Sequence, residues 1–189
     1  MRSTLAVTRR GALFALAAFF VATLSGVAGA TTVLLLSREE LVGRSDMVAR
    51  VQVGAATTGL SDDGKAIVTR TELRVTQGLK GGAAGTLVLE QIGGTWRGKT
   101  QRILGDATLV AGQDAVVFLK KGDQGRVHLT AMALSVYQVD GKGMARRDLR
   151  DLGFAKRESG RIVPTDAPND APEPVERLVA DVLRIAGGK

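Results

Sequence analysis

From Met47 onward the chain reads as short runs of alternating apolar and polar residues, cut at close intervals by glycine-rich turns. In Met47–Val53, Met47, Ala49, Val51 and Val53 alternate with Arg50 and Gln52, a period of two that turns one face inward. Ile67, Thr69, Thr71, Leu73 and Val75 share one face of the next segment, opposite Arg70, Glu72 and Arg74. Thr86–Ile92, Arg126–Met132, Ser135–Val139 and Met144–Leu149 continue the series. Ala115–Lys120 is an unbroken apolar run suited to a central strand. Asp63-Gly64 in the polar stretch Thr58–Lys65, Lys121–Gly125 and Asp140–Gly143 supply tight turns. No strand alternates with a long helical pattern, so a doubly wound nucleotide-binding sheet is not expected. The pattern predicts a mostly-β barrel or sandwich.

Two helices flank it. Ser37-Arg38-Glu39-Glu40 has the spacing of a capping box and predicts a short helix from Arg38 to about Gly43, after an extended Thr32–Leu36. All four prolines fall at positions 164, 168, 172 and 174, which predicts an extended linker over 159–174 that buries no core. Val175, Leu178, Val179, Val182 and Leu183 then recur at helical spacing opposite Glu176, Arg177 and Arg184. This amphipathic helix, 175–186, either docks on the β domain (31–158) or serves as a partner-binding or membrane-surface helix.

The first thirty residues have the three parts of a secretory signal peptide. Arg2, Arg9 and Arg10 form a basic start, Gly11–Leu24 an apolar run, and Ala28-Gly29-Ala30 a small-residue cleavage site. Cleavage between Ala30 and Thr31 is expected, leaving an exported periplasmic or extracellular protein with no stable membrane span. The competing reading is a retained anchor, since Gly11–Ala30 has about the ~20 residues a bilayer requires. A lipid anchor is excluded, because the chain has no cysteine to carry it. Arg9-Arg10 hints at a twin-arginine signal. That route suits proteins folded around a cofactor, and no cofactor motif is present, so general secretion is the expectation.

Taking away the three arginines of residues 1–30 lowers the formal charge from +7 to +4 over the remaining 159 residues. That is enough chain for one domain with a true core. A small spread charge without clustered bases and stacking aromatics is no nucleic-acid footprint. Without cysteine there is no thiol nucleophile, iron–sulfur cluster or zinc–cysteine site. One histidine, His128, cannot supply the three nitrogen or sulfur ligands of a catalytic zinc, and no strained serine elbow accompanies it. It shares a face with Arg126 and Thr130 and is expected at the surface. Asp62-Asp63-Gly64 is a fragment of a calcium loop without its terminal glutamate, and reads as a hairpin turn. Gly81–Gly85 lacks the Lys-Ser/Thr of a phosphate loop. No catalytic, metal or cofactor residue is therefore assigned. The candidate interaction loop lies in the glycine-rich basic stretch Gly93–Asp106, where the only tryptophan, Trp96, stands among Arg97, Lys99 and Arg102. Trp and Arg are enriched at binding hot spots. The alternative is that Trp96 folds back over a barrel end.

Ser37-x-Glu39-Glu40-Leu41-Val42, Ser45-Asp46-x-Val48, Thr69-x-Thr71-x-Leu73-x-Val75, Leu79-Lys80-Gly81, Gly93-Gly94, Gly112 and Val116-x-Phe118-Leu119 follow in order. This series resembles a group of uncharacterised exported bacterial proteins. More distantly, from Ser37 to Tyr137, it is similar to the netrin/tissue-inhibitor-of-metalloprotease barrel, an OB-type fold. The resemblance implies a small antiparallel OB-like barrel. The animal inhibitors act through an N-terminal cysteine, so that mechanism does not carry over to Thr31. The reading is an exported, non-enzymatic binding module for a protein or envelope partner. The alternatives are a secreted or periplasmic hydrolase using surface carboxylates, and a structural or accessory envelope component. A carboxylate pair in one pocket with one pKa pushed up would favour the enzyme.

Overall fold

The computed structural model describes residues 31–188. The expected signal peptide, residues 1–30, and the Ala30 side of its expected cleavage site lie outside the described residues. The chain runs through β1 (Thr31–Leu34), α1 (Arg38–Arg44), β2 (Met47–Leu60), β3 (Ile67–Lys80), β4 (Thr86–Ile92), β5 (Gly94–Trp96) and β6 (Lys99–Gln101). It continues through β7 (Asp114–Lys121), β8 (Arg126–Leu129), β9 (Val136–Val139), β10 (Met144–Arg146), β11 (Leu152–Glu158), β12 (Arg161–Thr165), β13 (Glu173–Pro174) and α2 (Val175–Gly187).

The fold is mostly β, and its main sheet is rich in antiparallel pairs. β2 pairs with β3 and β7, β3 with β4, and β7 with β8, all antiparallel. A parallel pairing of β4 with β8, Leu89 opposite Val127, closes the ring. Numbered along the chain, the five ring strands lie in the order 1-2-3-5-4, a small OB-like barrel. The first half of β7 also carries β9, which extends the sheet through β10 to β13.

Both faces are buried at Met47–Ala49 of β2 and Ala115–Leu119 of β7, which is why β7 reads as unbroken apolar sequence. Met47, Ala49, Val51 and Val53 point into the barrel with Leu73, Leu89, Ala115, Val117 and Leu119. Val48, Val116 and Phe118 point outward into a second core built with Leu41 and Val42 of α1 and with Val175, Leu178, Val179 and Val182 of α2. The C-terminal helix is thus docked, and the free partner- or membrane-binding role expected as its alternative would need its apolar face uncovered.

Three of the resemblance motifs, Ser37–Val42, Ser45–Val48 and Leu79–Gly81, meet in the joint between α1, β2 and β3. Ser37 closes the capping box, taking the Glu40 amide at 3.2 Å while its own amide donates to Glu40 Oε2 at 2.9 Å. Lys80 Nζ donates to the carbonyls of Val42 and Ser45 at 2.5 and 2.7 Å, placing a cation at the C-terminal end of α1. Gly81 has φ +72°, and a Cβ there would strike the Asp46 carbonyl, so only glycine turns this corner.

Three expectations are corrected. β2 continues to Leu60, bent by register shifts at three points, so the turn is confined to Ser61–Ala66. Gly93–Asp106 is not all loop, because it contains the β5–β6 hairpin. The stretch 159–174 is only partly a linker: β12 pairs with β11, and Glu173–Pro174 pairs with β10. β1, β11 and β12 form a separate three-stranded sheet, with β1 parallel to β11, over a small third core that includes Leu134, Leu152 and Phe154. Sequence periodicity gave no sign of β11, whose alternation is broken by Gly153.

Candidate functional site at the barrel mouth

β2 and β3 reach past the end of β7: β7 pairs with β2 only as far as Gln52, while the β2–β3 ribbon runs on to Leu60 and Ile67. The inner face of that overhang is a barrel mouth, and two irregular segments cover it. The first is the β5–β6 hairpin. Its turn, Arg97-Gly98, has φ +48° and +76°, the all-positive geometry of a two-residue hairpin turn. The hairpin is fastened at its base by Gly93 N–H to the Ile67 carbonyl (2.7 Å), Thr69 Oγ1 to the Gly93 carbonyl (2.8 Å), and Ile67 N–H to Gln101 Oε1 (3.2 Å). Gly94 lies so close to Thr58 and Thr69 that a Cβ would collide with both. This explains the Gly93-Gly94 pair physically.

Trp96 is half-buried and, two residues on, shares the ribbon-facing side of the hairpin with Gly94, while Thr95 and Thr100 bond to each other on the exposed side. The Arg97 guanidinium carbon sits 4.4 Å from the centre of the Trp96 ring. The tryptophan is therefore neither a bare recognition knob nor a core residue.

The second covering segment is the loop from Ile103 to Gln113. Ala107 and Leu109 pack into the barrel core. Gln91 Nε2 donates to the Ala107 carbonyl at 2.9 Å, and Ala133 N–H donates to the Gly105 carbonyl at 3.2 Å. The loop leaves two cavities, one on either side. The inner one, about 300 Å³, is walled by Thr69, Thr71, Gln91 and Gln101. The outer one, about 330 Å³, is walled by Gln138, Asp148, Arg150 and Asp151. Arg102, Asp106, Ala107 and Thr108 belong to both.

The charges divide unevenly. Arg102 and Asp151 pair at 2.7 Å and Arg150 and Asp148 at 2.6 Å, with all four side chains well exposed. Such pairs add little stability but leave fixed donors and acceptors at a rim. Asp106 is different. Burial pushes its carboxyl above the ordinary range, against the Ala107 N–H at 2.9 Å and the Gln91 side chain, which favour the charged form. The hydrogen bond from Arg150 holds Asp148 below the ordinary range on the same cavity. Two like side chains are thus pushed in opposite directions on one surface, as in acid/base pairs.

Of the four loop residues singled out in the sequence, the structure brings Arg102 into the cavities and leaves Trp96, Arg97 and Lys99 on the hairpin beside them. Asp106, Gln91, Asp148 and Asp151 were not legible, since nothing in their spacing connects β4, the mouth loop and the turn before β11. His128 is half-buried on the outer side of the same strands, its Nδ1 3.0 Å from the Glu90 carbonyl. Asp62 is engaged by Arg126 and Arg70, and Asp63 takes the Ser61 hydroxyl at 2.6 Å and the Lys65 amide at 3.2 Å, as a turn residue does.

No family model matches the chain, and no curated protein resembles it significantly in sequence.

Proposed function

We propose that this chain is an exported, non-enzymatic binding module that takes a protein or envelope partner at the barrel mouth. The observation that carries this reading is the pair of cavities flanking one well-fastened loop and sharing Arg102 and Asp106. Polar groups converging in a concave site on a rigid barrel are what recognition requires. Export rests on the composition of residues 1–30, and among the described residues no helix is long and apolar enough to cross a membrane. Kinship with the exported bacterial group, and remotely with netrin-type barrels, belongs to the same proposal and is supported by the OB-like strand order.

The test uses the chain from Thr31, immobilised and exposed to envelope extract. Arg102→Ala, at an exposed site, should abolish capture without changing the melting temperature. Lys65→Ala, on the distant turn, should leave it intact. Equal capture by both variants would remove the mouth as the site. Recovery of the exported protein with Thr31-Thr32-Val33 at its N-terminus is the expected sign of cleavage; an N-terminus at Met1 or Arg2 would overturn it.

A second reading, hydrolysis by carboxylates, is favoured by the opposed shifts of Asp106 and Asp148. In that case Asp106 holds the proton and Asp148 stands ionised. An activity on extracted envelope polymers that disappears in Asp106→Asn would decide for it; activity unaffected by Asp106→Asn would decide against it.

A further inference from the structure

Between β12 and β13, residues 166–172 cross the flank of the domain as an extended strap. Only Pro168 and Asp170 are half-buried; Asp166, Ala167, Asn169, Ala171 and Pro172 are exposed. Inward residues two apart on an extended chain mean that one face of the strap is docked. No backbone hydrogen bond ties this segment to the rest of the described chain. Its polar hold is one fork: Arg147 Nε and a terminal nitrogen donate to the two oxygens of Asp170 at 2.9 and 2.7 Å. The Arg147 side chain is only 9% exposed, and its guanidinium carbon lies 5.0 Å from the centre of the Tyr137 ring. Arg38 approaches the same ring at 5.9 Å while donating to Asp181 at 2.7 Å and to Glu173. Tyr137 is itself buried, and that burial holds its hydroxyl above the ordinary range despite the two cations.

The strap leaves much of the groove empty. A cavity of about 530 Å³ remains, bounded by Leu35, Leu36, Tyr137 and Arg147 on the domain side and by Pro168 and Asp170 on the strap side. Glu39 and Glu40 stand on its rim near α1, so a carboxylate is welcome only at the Arg147 end. An aromatic floor, a rigid proline and a forked arginine–carboxylate pair are the elements by which grooves bind extended acidic segments.

We propose that this groove is a recognition site for an extended, proline-containing acidic segment of a partner protein, occupied in cis by Pro168–Asp170, which such a partner displaces. The inference is independent of the barrel mouth. A tethered occupant competes at millimolar or higher effective concentration, so the partner must win by filling the space that the strap leaves free.

The probe is a fluorescent nine-residue peptide copying Thr165–Glu173, with binding followed by anisotropy on the chain from Thr31. Asp170→Asn in the protein should raise affinity for this peptide at least tenfold over the unsubstituted protein. A peptide with asparagine at the position of Asp170 should lose that gain. Adding Arg147→Gln to the Asp170→Asn protein should remove it too. Should that double variant fail to fold, Arg147→Lys in the same background keeps the charge but loses the fork, and is expected to bind at least fivefold more weakly. Equal binding to the Asp170→Asn and unsubstituted proteins, or equal binding of the two peptides, overturns the proposal.

Discussion

The segment 93–109 over the barrel mouth and the segment 159–174 on the flank look alike as sequence, each polar and rich in glycine or proline. They are held by different forces. The mouth segment is fastened by hydrogen bonds that engage main-chain groups, among them Gly93 N–H to Ile67, Ala133 N–H to Gly105, and Gln91 to the Ala107 carbonyl. Between β12 and β13 the flank segment is fastened only through side chains, chiefly the Arg147–Asp170 fork. Main-chain bonds shielded by packing open only when the surrounding sheet opens, whereas a partly exposed ion pair opens alone. The mouth is therefore scaffold, and the strap is an exchangeable part.

The largest effect is expected beneath the mouth. Leu73 is fully buried in the barrel core, so Leu73→Ala should cost about 2–5 kcal/mol in urea melts. A smaller loss would mean that the barrel repacks and the mouth is not rigid scaffold. Trp96→Ala comes next. A fully buried tryptophan is worth ~3–5 kcal/mol on truncation, and half-burial predicts about half of that. A change within ~0.5 kcal/mol would place Trp96 with ordinary surface residues and make the hairpin a pure recognition loop.

Asp170→Asn should cost about 1–3 kcal/mol, the penalty for leaving Arg147 without its charged partner. Its signature is local. Limited proteolysis should cut 166–172 faster, while hydrogen exchange at the Gly93 and Ala133 amides stays slow. Faster exchange at Gly93 and Ala133 alongside faster cutting of 166–172 would erase the contrast between the segments.

The smallest effect belongs to Asp106. Its folded pKa is raised, so the native state binds this proton more tightly than the unfolded chain does. The stability it contributes is full below the ordinary aspartate value near ~4 and is lost as pH rises through the higher folded value. Asp106→Asn should therefore gain on the unsubstituted protein between pH 3 and 7. A difference that does not change across that range would show Asp106 to be freely solvated and unsuited to hold a proton in the cavity.

Legibility followed the range of the interactions. The alternation in Met47–Val53 and Ile67–Val75, and the Ser37 capping box, report on neighbours within a few residues, so each was readable. The site was readable only at Arg102. The other cavity walls come from β4, the mouth loop, β9 and the turn before β11, and their convergence depends on barrel closure. Proline content marked 159–174 as extended but could not reveal that Asp170 meets an arginine twenty-three residues earlier.

By itself, then, the sequence determined strand periodicity, turn positions, the capped N-terminal helix, the amphipathic C-terminal helix and the lack of any cysteine chemistry. Each of these is a local property of backbone preference and of which face is apolar. Tertiary structure alone decided that β4 and β8 join in parallel to close the ring, that α2 covers the outer face of β2 and β7, and that Asp106 is pushed toward its protonated form. Those outcomes depend on which distant surfaces meet and on how much water is excluded between them, and neither is written in the spacing of residues along the chain.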